Sequence, residues 1–390
     1  MLIKVKEIYL DNSATTPLSD AAKKAMCEAM EVYGNPSSLH TAGLSAEKIV
    51  RTARENVASA LGIRNLRDAK LIFTSCGSEA SNLAILGTTH AKSRRIANRI
   101  LTTDSEHPSV ENPIRKLEGE GFDIIRIPTK NGVLDFDVLG REAHDVFLAS
   151  FMMVNNETGA IYDVERAFKL IRAENPDAIL HCDAVQGFLK RRFSASSLGA
   201  DLITVSAHKI HGPKGVGALY IAPEMIKAKK IVPVLLGGGQ EGGFRSGTEN
   251  VVGIAGFGAA AKEGFANLAS DLQKMRSVKE HLISSLPSEI KVNAPAGESA
   301  PHVISITLPD IKSETMLHFL SSKGIYVSSG SACSSHSSSP SSSLISFGLD
   351  AHSADCTLRV SISNYTEKED ADALCEALRE GIGRLVRIQR

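Results

Sequence analysis

Short apolar runs alternate with segments of helical spacing through the first two thirds of the chain. The helical segments include residues 80–86 and 164–173. Strands that alternate with helices are typical of crossover connections, which give a mostly parallel sheet with helices on both faces. The sequence therefore predicts a large α/β domain built on seven strands. The predicted strands are residues 70–74, 99–103, 123–127, 145–154, 178–182, 201–205 and 217–221.

A different pattern follows the glycines at 237–239. It consists of a long helical stretch over residues 252–286 and separate strands over 303–308 and 357–363. Segregated helices and strands indicate a smaller α+β domain. The predicted organisation is a large cofactor-binding domain of residues 12–255 and a small domain of residues 1–11 and 256–390.

The last segment of the chain has the pattern of a terminal helix. Thr366 and Glu369 stand in the spacing of a capping box. Leu374, Leu378 and Ile382 then recur at helical intervals and give the helix one apolar face. We expect this face to pack on the small domain.

Composition excludes several classes of protein. The 390 residues include 44 basic and 44 acidic side chains, so no net charge attracts the chain to nucleic acid or to an anionic membrane. No apolar run approaches the ~18 residues that a membrane span needs. Six cysteines lie scattered without the paired spacing of a zinc site or a disulfide framework. We predict a cytoplasmic protein without a metal site, in which cysteines such as Cys76 and Cys182 are small core residues.

Polar residues directly after the predicted strands are candidates for a ligand site, because ligands of open parallel sheets bind beyond the carboxyl ends of the strands. Gly77 and Ser78 follow the first strand and open a helix, whose free N–H groups suit a phosphate. His107 follows the second strand and could stack on a flat cofactor or carry a proton. An ordinary strand-to-helix connection and a solvated loop histidine are the structural alternatives.

Three later strands end in the same way. Asn155 and Asn156 follow one of them, where amides can orient a ligand or form a turn. Asp183 lies just beyond a buried strand and needs a cationic partner, because an unpaired buried carboxylate is costly. Lys209 follows the third strand beside His208, and a surface lysine is its alternative.

A single cofactor would explain all of these sites. A phosphate cradle, an imidazole that stacks, a carboxylate that keeps a ring nitrogen protonated and a lysine that forms a Schiff base are the parts that pyridoxal phosphate requires. Metal binding by His208 and His211 is the alternative for the histidines, but no third ligand stands at a suitable spacing.

Several motifs resemble, in order, those of the NifS/IscS-like cysteine desulfurases, which are class V, fold type I pyridoxal phosphate enzymes. They are DNSATTP at 11–17, GNPSSLH at 34–40, the five strand-end sites, RSGT at 245–248 and SSGSAC at 328–333. The resemblance spans nearly the whole chain. It implies conversion of L-cysteine to L-alanine, with a persulfide formed on Cys333 for delivery to iron-sulfur cluster assembly or another sulfur acceptor.

The resemblance also implies a role for each matching residue. Lys209 would hold the cofactor covalently and move the Cα proton, Asp183 would pair with the ring nitrogen, and His107 would stack on the ring. Gln186 and Asn156 would lie near the ring hydroxyl. The implied phosphate ligands are Gly77, Ser78, Ser206 and His208, and the implied substrate ligands are Arg359, Asn156 and Asn35.

Partners follow from the same resemblance. In this family the residue matching Thr248 reaches the cofactor phosphate of the neighbouring subunit, so a homodimer is implied. A sulfur-acceptor protein, such as an iron-sulfur scaffold, is the second implied partner, and its identity stays open.

Cys333 lies in a segment, residues 328–343, in which eleven of sixteen residues are serine. Such a segment is not expected to pack into a core. It is either a linker that happens to contain a cysteine or a mobile arm that carries sulfur from the cofactor to an acceptor. His336 is a candidate base for the Cys333 thiol, because only the thiolate is a good nucleophile.

The sequence departs from the family pattern at Gly242 and Gly243, which follow Glu241 where an arginine is usual, and in the serine-rich stretch after Cys333. Two other classes of function stay open. Another pyridoxal phosphate enzyme, such as a selenocysteine lyase or an aminotransferase, would not depend on Cys333. A binding protein could retain the fold without turnover.

Overall fold

The computed structural model describes residues 7–63, 65–66, 69–91, 97–329 and 341–387. Its strands are β1 (Ile8–Tyr9), β2 (Lys70–Thr74), β3 (Arg99–Thr103), β4 (Asp123–Ile127), β5 (Val146–Met152), β6 (Ile179–Asp183), β7 (Leu202–Ser206), β8 (Gly217–Ile221), β9 (Lys291–Val292), β10 (Val303–Thr307), β11 (Ile325–Tyr326), β12 (Ser328–Ser329) and β13 (Thr357–Ser361). Its helices are α1 (Asp20–Met30), α2 (Thr41–Ala60), α3 (Gly77–Thr89), α4 (Pro108–Gly119), α5 (Phe136–Glu142), α6 (Val164–Glu174), α7 (Ala195–Leu198), α8 (Pro223–Lys227), α9 (Val251–Ser285), α10 (Ser313–Ser322), α11 (Ser342–Phe347), α12 (Ala351–Asp355) and α13 (Lys368–Arg384).

The predicted large sheet is confirmed. Its seven strands lie in the order β2-β8-β7-β6-β5-β3-β4. All pairs are parallel except those of β8, which runs antiparallel to β2 and to β7. Six strands therefore point the same way, and their carboxyl ends meet at one edge of the sheet.

Apolar runs form the central strands because both faces of this sheet are covered. Every residue of β6, β7 and β8 is buried, as expected for strands packed beneath helices on both sides. The predicted run 145–154 is longer than β5. Asp145 has a left-handed backbone with φ of 54°, which keeps it out of the strand, and Val154 forms only an isolated bridge with Ile161.

A second, smaller core surrounds the antiparallel sheet β12-β13-β10-β9. Ile306, Leu358 and Val360 contribute to it from the strands, and Leu374 and Leu378 contribute from α13. The separate pair β1 and β11 lies against the same core. The predicted boundary between residues 255 and 256 stays a prediction.

The predicted capping box of the terminal helix was wrong by one residue. Glu367 is the N-cap of α13, and Asp370 completes the box with it. The Thr366 hydroxyl instead accepts a hydrogen bond from the N–H of Ser363 at 3.0 Å and closes the turn before the helix. An acidic pair can cap a helix as Thr and Glu do, because its oxygens also accept the free N–H groups of the first turn.

The long helix α9 belongs to both cores. Its first part contributes Phe257 and Ala261 to the large core, and its second part contributes Met275 and Leu282 to the small core. Like the other helices of the described residues, it is not apolar enough to cross a bilayer.

Helices α9 and α2 approach each other very closely where Gly258 faces Ala53. A Cβ atom on Gly258 would lie 2.4 Å from Ala53 Cα, which is backbone and cannot move aside. Glycine at this point lets the two helices pack together, at the usual cost of glycine within a helix.

We predict that the same substitution at two helical glycines has opposite effects on stability. Gly258→Ala forces the two helices apart and should lower the free energy of unfolding by about 1–3 kcal/mol. Gly140→Ala, in α5 with nothing within 4 Å of the added methyl group, should raise it by up to about 1 kcal/mol. Urea unfolding followed by circular dichroism measures both. Equal effects of the two substitutions would contradict the close helix contact.

Candidate active site

A cavity of about 330 Å³ lies where the carboxyl ends of the parallel strands meet. Side chains that follow β2, β3, β5, β6 and β7 line it, and β13 of the small sheet adds one more. Ten residues singled out from the sequence are among its walls: Gly77, Ser78, His107, Asn156, Asp183, Gln186, Ser206, His208, Lys209 and Arg359.

Lys209 reaches the cavity from a 3-10 turn, Ala207–Lys209, that directly follows β7. Its Nζ donates hydrogen bonds to the backbone oxygens of Ser13 at 2.6 Å and of Ala14 at 2.8 Å. Gln186 donates to the same Ser13 oxygen at 2.9 Å. The N-terminal segment thus holds the lysine amine in the wall of the cavity.

Asp183 is the last residue of β6 and is buried. Its Oδ1 accepts a hydrogen bond from the N–H of Val185 at 2.9 Å. Burial raises the pKa of this carboxyl to about 6, although the Val185 N–H and the positive charge of Lys209 oppose the rise. A protonated ring nitrogen next to Asp183 would favour the ionised carboxylate.

His107 is the N-cap of α4, and Pro108 follows it at the first helical position. Its Nδ1 accepts the N–H of Ser109 at 3.1 Å, which assigns the proton of the neutral ring to Nε2. Burial lowers the pKa of His107 to about 4, and the positive charges of Lys209 and Arg359 add to this effect. The imidazole is therefore neutral near pH 7 and can stack on a flat ring.

A phosphate fits where α3 begins. A Cβ atom on Gly77 would come within 3.1 Å of Val185 Cγ2 and 3.5 Å of Ser206 Cβ, so the glycine leaves room in the cavity. The Ser206 hydroxyl is buried and has no hydrogen-bond partner among the described residues. An unpaired buried hydroxyl beside the N-terminus of a 13-residue helix suits a phosphate oxygen.

His208 stands on the same side of the cavity. Its Nδ1 lies 3.3 Å from the Thr15 hydroxyl. Burial lowers the pKa of His208 to about 4, and nearby lysines, Lys209 first among them, lower it further. Taken with Asp183 and Lys209, these groups match the chemistry of pyridoxal phosphate.

Arg359 enters the cavity from β13 and is 4% exposed. Its guanidinium forms an ion pair with Asp11 at 2.8 Å and donates to the backbone oxygen of Asn156 at 3.1 Å. Its Nε–H has no partner among the described residues. The planar, fixed cation can bind a carboxylate.

Two predicted site residues lie elsewhere in this chain. Thr248 and Asn35 are exposed and are not part of the cavity wall. The Asn35 side chain accepts the N–H of Ser37 at 2.9 Å. Cys333 and His336 lie outside the described residues.

Sequence reasoning missed two features of the cavity. Asp11 pairs with Arg359, but nothing local to either residue indicates a contact across 348 positions of the chain. The expectation that Cys76 is a core residue was wrong, since this residue is only half-buried and lines the cavity as the N-cap of α3. Cys182 is buried, as predicted.

The departure from the family pattern at Gly242 has a structural reason. The backbone of Gly242 is left-handed, with φ of 66°, a conformation that favours glycine over arginine. The turn also brings Glu241 inward, where its carboxylate accepts Arg54 at 2.6 Å and the N–H of Phe73 at 3.0 Å.

Metal binding finds no support in the described residues, where no three His, Cys, Asp or Glu side chains are grouped to hold an ion.

Comparisons with known proteins agree with one another. The family model described as aminotransferase class-V matches residues 8–374. A cysteine desulfurase of Nostoc sp. is 37% identical over 384 residues, which is 97% of this chain and 93% of that protein. A solved NifS-like protein has a TM-score of 0.89 at 33% identity and covers 97% of this chain and 100% of its own. The structure of SspA in complex with cysteine has a TM-score of 0.78 at 29% identity, over 92% of this chain and 99% of its own.

We predict that Ser206→Ala separates binding of the phosphate from binding of the ring. Loss of a hydrogen bond to a charged group should weaken binding of pyridoxal phosphate by about tenfold or more. Binding of pyridoxal, which lacks the phosphate, should not change. Absorbance titration of the cofactor-free protein with each compound measures both affinities. An equal loss for the two compounds would contradict the assignment of the phosphate site.

Proposed function

Because this chain belongs to the class-V aminotransferase family, with cysteine desulfurases among its relatives, we propose that it converts L-cysteine to L-alanine and places the sulfur on Cys333 as a persulfide. The observation that carries the proposal is the convergence of Lys209, Asp183 and Arg359 on one cavity. This cavity offers an amine, a carboxylate and a guanidinium to a single small ligand.

Pyridoxal phosphate is the cofactor that these residues fit. When bound, its protonated ring withdraws electrons from the substrate Cα and makes loss of the Cα proton feasible. Asp183 would keep the ring nitrogen protonated, His107 would cover the face of the ring, and Ser206 with the first turn of α3 would hold the phosphate. Gln186 and Asn156 would lie near the ring hydroxyl.

Four residues are proposed to bind or act on the substrate itself. Arg359 binds the α-carboxylate through its planar fork, and Asn156, whose backbone oxygen accepts from Arg359, lies beside it. Asn35 is proposed as a further substrate ligand. Lys209 removes the Cα proton and returns a proton later, since its amine is the basic group held at the cavity wall by two carbonyl oxygens.

The sulfur step is a nucleophilic displacement by Cys333. Its thiolate forms an S–S bond with the sulfur of L-cysteine, and the C–S bond of the substrate breaks. The carbon that loses the sulfur takes up one proton, which completes L-alanine and leaves a persulfide on the protein. No external oxidant or reductant is required, because the electron pair of the broken C–S bond stays on the substrate carbon, which is reduced as the two sulfur atoms are oxidised to the persulfide level.

Chain geometry supports the reach of Cys333. Ser328 in β12 lies opposite Arg359 in the antiparallel pair with β13. Cys333 follows Ser328 by five positions, and five residues span at most roughly 18 Å when extended. Cys333 therefore starts close enough to the cavity to approach a substrate bound at Arg359.

We also propose a homodimer. Thr248 is exposed and stands away from the cavity of its own chain, as expected of a residue that completes a neighbour's site. Tyr33 and Leu39 are each 92% exposed, and Leu236 is 78% exposed. A partner subunit would cover large apolar side chains such as these.

The sulfur acceptor and the location complete the proposal. An iron-sulfur scaffold or a similar acceptor protein in the cytoplasm would take the persulfide sulfur. Free thiols at all five described cysteines are compatible with a reducing compartment.

We predict that the loaded protein releases alanine from L-cysteine and gains one persulfide per chain before an acceptor is added. Cys333→Ser should abolish the persulfide and turnover, because the nucleophile is lost, and Lys209→Ala should abolish the covalent cofactor. Cys27→Ser, at an exposed thiol far along the chain from both residues, is the matched control and should behave as the wild type. Amino-acid analysis and intact-protein mass spectrometry measure product and persulfide.

Other products would identify the alternatives. The keto acid 3-mercaptopyruvate in place of alanine would indicate an aminotransferase. Turnover of selenocysteine that survives Cys333→Ser would indicate a selenocysteine lyase. A protein that stays colourless with pyridoxal phosphate would be a binding protein.

We predict that Thr248 acts on the neighbouring subunit. In a mixed dimer of Lys209→Ala and Thr248→Val chains, one site has Lys209 from one chain and Thr248 from the other, so it should bind pyridoxal phosphate as tightly as the wild type. Tagged chains purified as mixed dimers and titrated by absorbance test this. If that site binds as weakly as the Thr248→Val homodimer, Thr248 acts within its own chain.

A further inference from the structure

Serine hydroxyls attach the beginning of α11 to the large core. Ser341 is the N-cap of this helix, and Leu344 and Phe347 on it are buried. Each hydroxyl donates to an acceptor of the large core: Ser341 to Glu157 Oε2 at 2.6 Å, Ser343 to the backbone oxygen of Ser105 at 3.3 Å, and Ser346 to the backbone oxygen of Asp104 at 2.9 Å. Residues 330–340, which contain Cys333, are called the Cys333 segment here. The helix that follows this segment is therefore fixed beside the loop that carries His107.

Glu157 is the one side chain among these three acceptors, since the other two acceptors are backbone oxygens. It follows Asn156 of the cavity wall, and its own N–H donates to the Asn155 side chain at 3.0 Å, which fixes the turn. Arg359 is the charged group that faces Glu157 among the described residues. Burial raises the pKa of the Glu157 carboxyl to about 7, although the Ser341 hydroxyl, Arg359 and the Ser343 hydroxyl oppose the rise.

The residues on both sides of the Cys333 segment are thus attached at the same rim of the cavity. On one side, Ser328 lies opposite Arg359 in the small sheet. On the other side, Ser341 is bonded to Glu157, next to Asn156. Arg359 and Asn156 are themselves joined by a hydrogen bond of 3.1 Å, so both attachment points belong to one continuous structure.

We propose that Glu157 is a positioning residue for sulfur transfer, which accepts the Ser341 hydroxyl and so holds the C-terminal end of the Cys333 segment at the cavity rim. The proposal rests on the proposed role of Cys333, which precedes Ser341 by eight positions. A segment held at both ends keeps its thiol in a smaller volume than a segment held at one end. Its effective concentration at the substrate is therefore higher.

The sign of the pH effect follows from the hydrogen bond itself. Burial of Glu157 costs the whole fold stability as the pH rises through about 7, but the Ser341 hydroxyl opposes the rise of the pKa because it donates to the carboxylate and favours the ionised form. The Ser341–Glu157 hydrogen bond therefore strengthens as the pH rises through about 7. Glutamine keeps an oxygen acceptor and has no charge, so Glu157→Gln should retain the attachment without this pH dependence.

The test compares four variants in the loaded enzyme. Glu157→Ala removes the acceptor and Ser341→Ala removes the donor. Glu157→Gln is the conservative variant. Ser342→Ala, at the exposed neighbouring hydroxyl, is the matched control. Single-turnover mass spectrometry gives the rate of persulfide formation on Cys333, and the absorbance change on adding L-cysteine gives substrate affinity independently.

Glu157→Ala and Ser341→Ala should each slow persulfide formation by about tenfold, as loss of one attachment lowers the effective concentration of the thiol, with substrate affinity unchanged. Their double variant should be no slower than Glu157→Ala, because Ser341→Ala removes a contact that Glu157→Ala has already removed. Glu157→Gln should transfer sulfur at the rate that the wild type has near pH 6, and it should lose the change in rate between about pH 6 and pH 8. Ser342→Ala should match the wild type.

A second measurement does not depend on turnover. In the cofactor-free protein, amide hydrogen exchange over residues 341–347 should be faster in Glu157→Ala and in Ser341→Ala than in the Ser342→Ala control. If Glu157→Ala does not fold, Ser341→Ala and its exchange rates decide the question. Wild-type exchange and persulfide rates in Ser341→Ala would overturn the inference. Alanine formation by the Cys333→Ser variant would overturn the proposed function instead.

Discussion

Residues 11–14, near the N-terminus, contact groups of both cores at the cavity. Asp11 forms an ion pair with Arg359 of the small sheet, while the backbone oxygens of Ser13 and Ala14 hold the amine of Lys209. One rigid segment therefore sets the separation between the proposed substrate anchor and the amine that acts on the substrate. Catalytic groups on different domains need such a link, because an error of about 1 Å in their spacing costs much of the rate.

Burial is the second physical factor that defines the cavity. It moves the pKa of Asp183 upward to about 6 and that of His107 downward to about 4, so both groups are shifted toward their neutral forms. A cationic ring nitrogen beside Asp183 would favour the ionised carboxylate. The neutral imidazole of His107 would not compete for that carboxylate.

Much of this arrangement could be predicted from the sequence, because strand direction decides where loops meet. Lys209 and Asp183 each follow an apolar run, and parallel strands bring such positions to one edge whatever the loops contain. Long-range contacts could not be predicted in this way. The pairing of Asp11 with Arg359 depends on how the small sheet docks, and the exposure of Cys76 to the cavity depends on where α3 begins.

More than one pair of residues can cap the same helix. Glu367 and Asp370 cap the last helix although Thr366 and Glu369 have the more usual side chains, because the turn before the helix uses the threonine hydroxyl.

Helix α9 affects how the protein unfolds. Its 35 residues extend for roughly 50 Å through both hydrophobic cores without a break. Because the two cores share this helix, we expect them to unfold together as one cooperative unit.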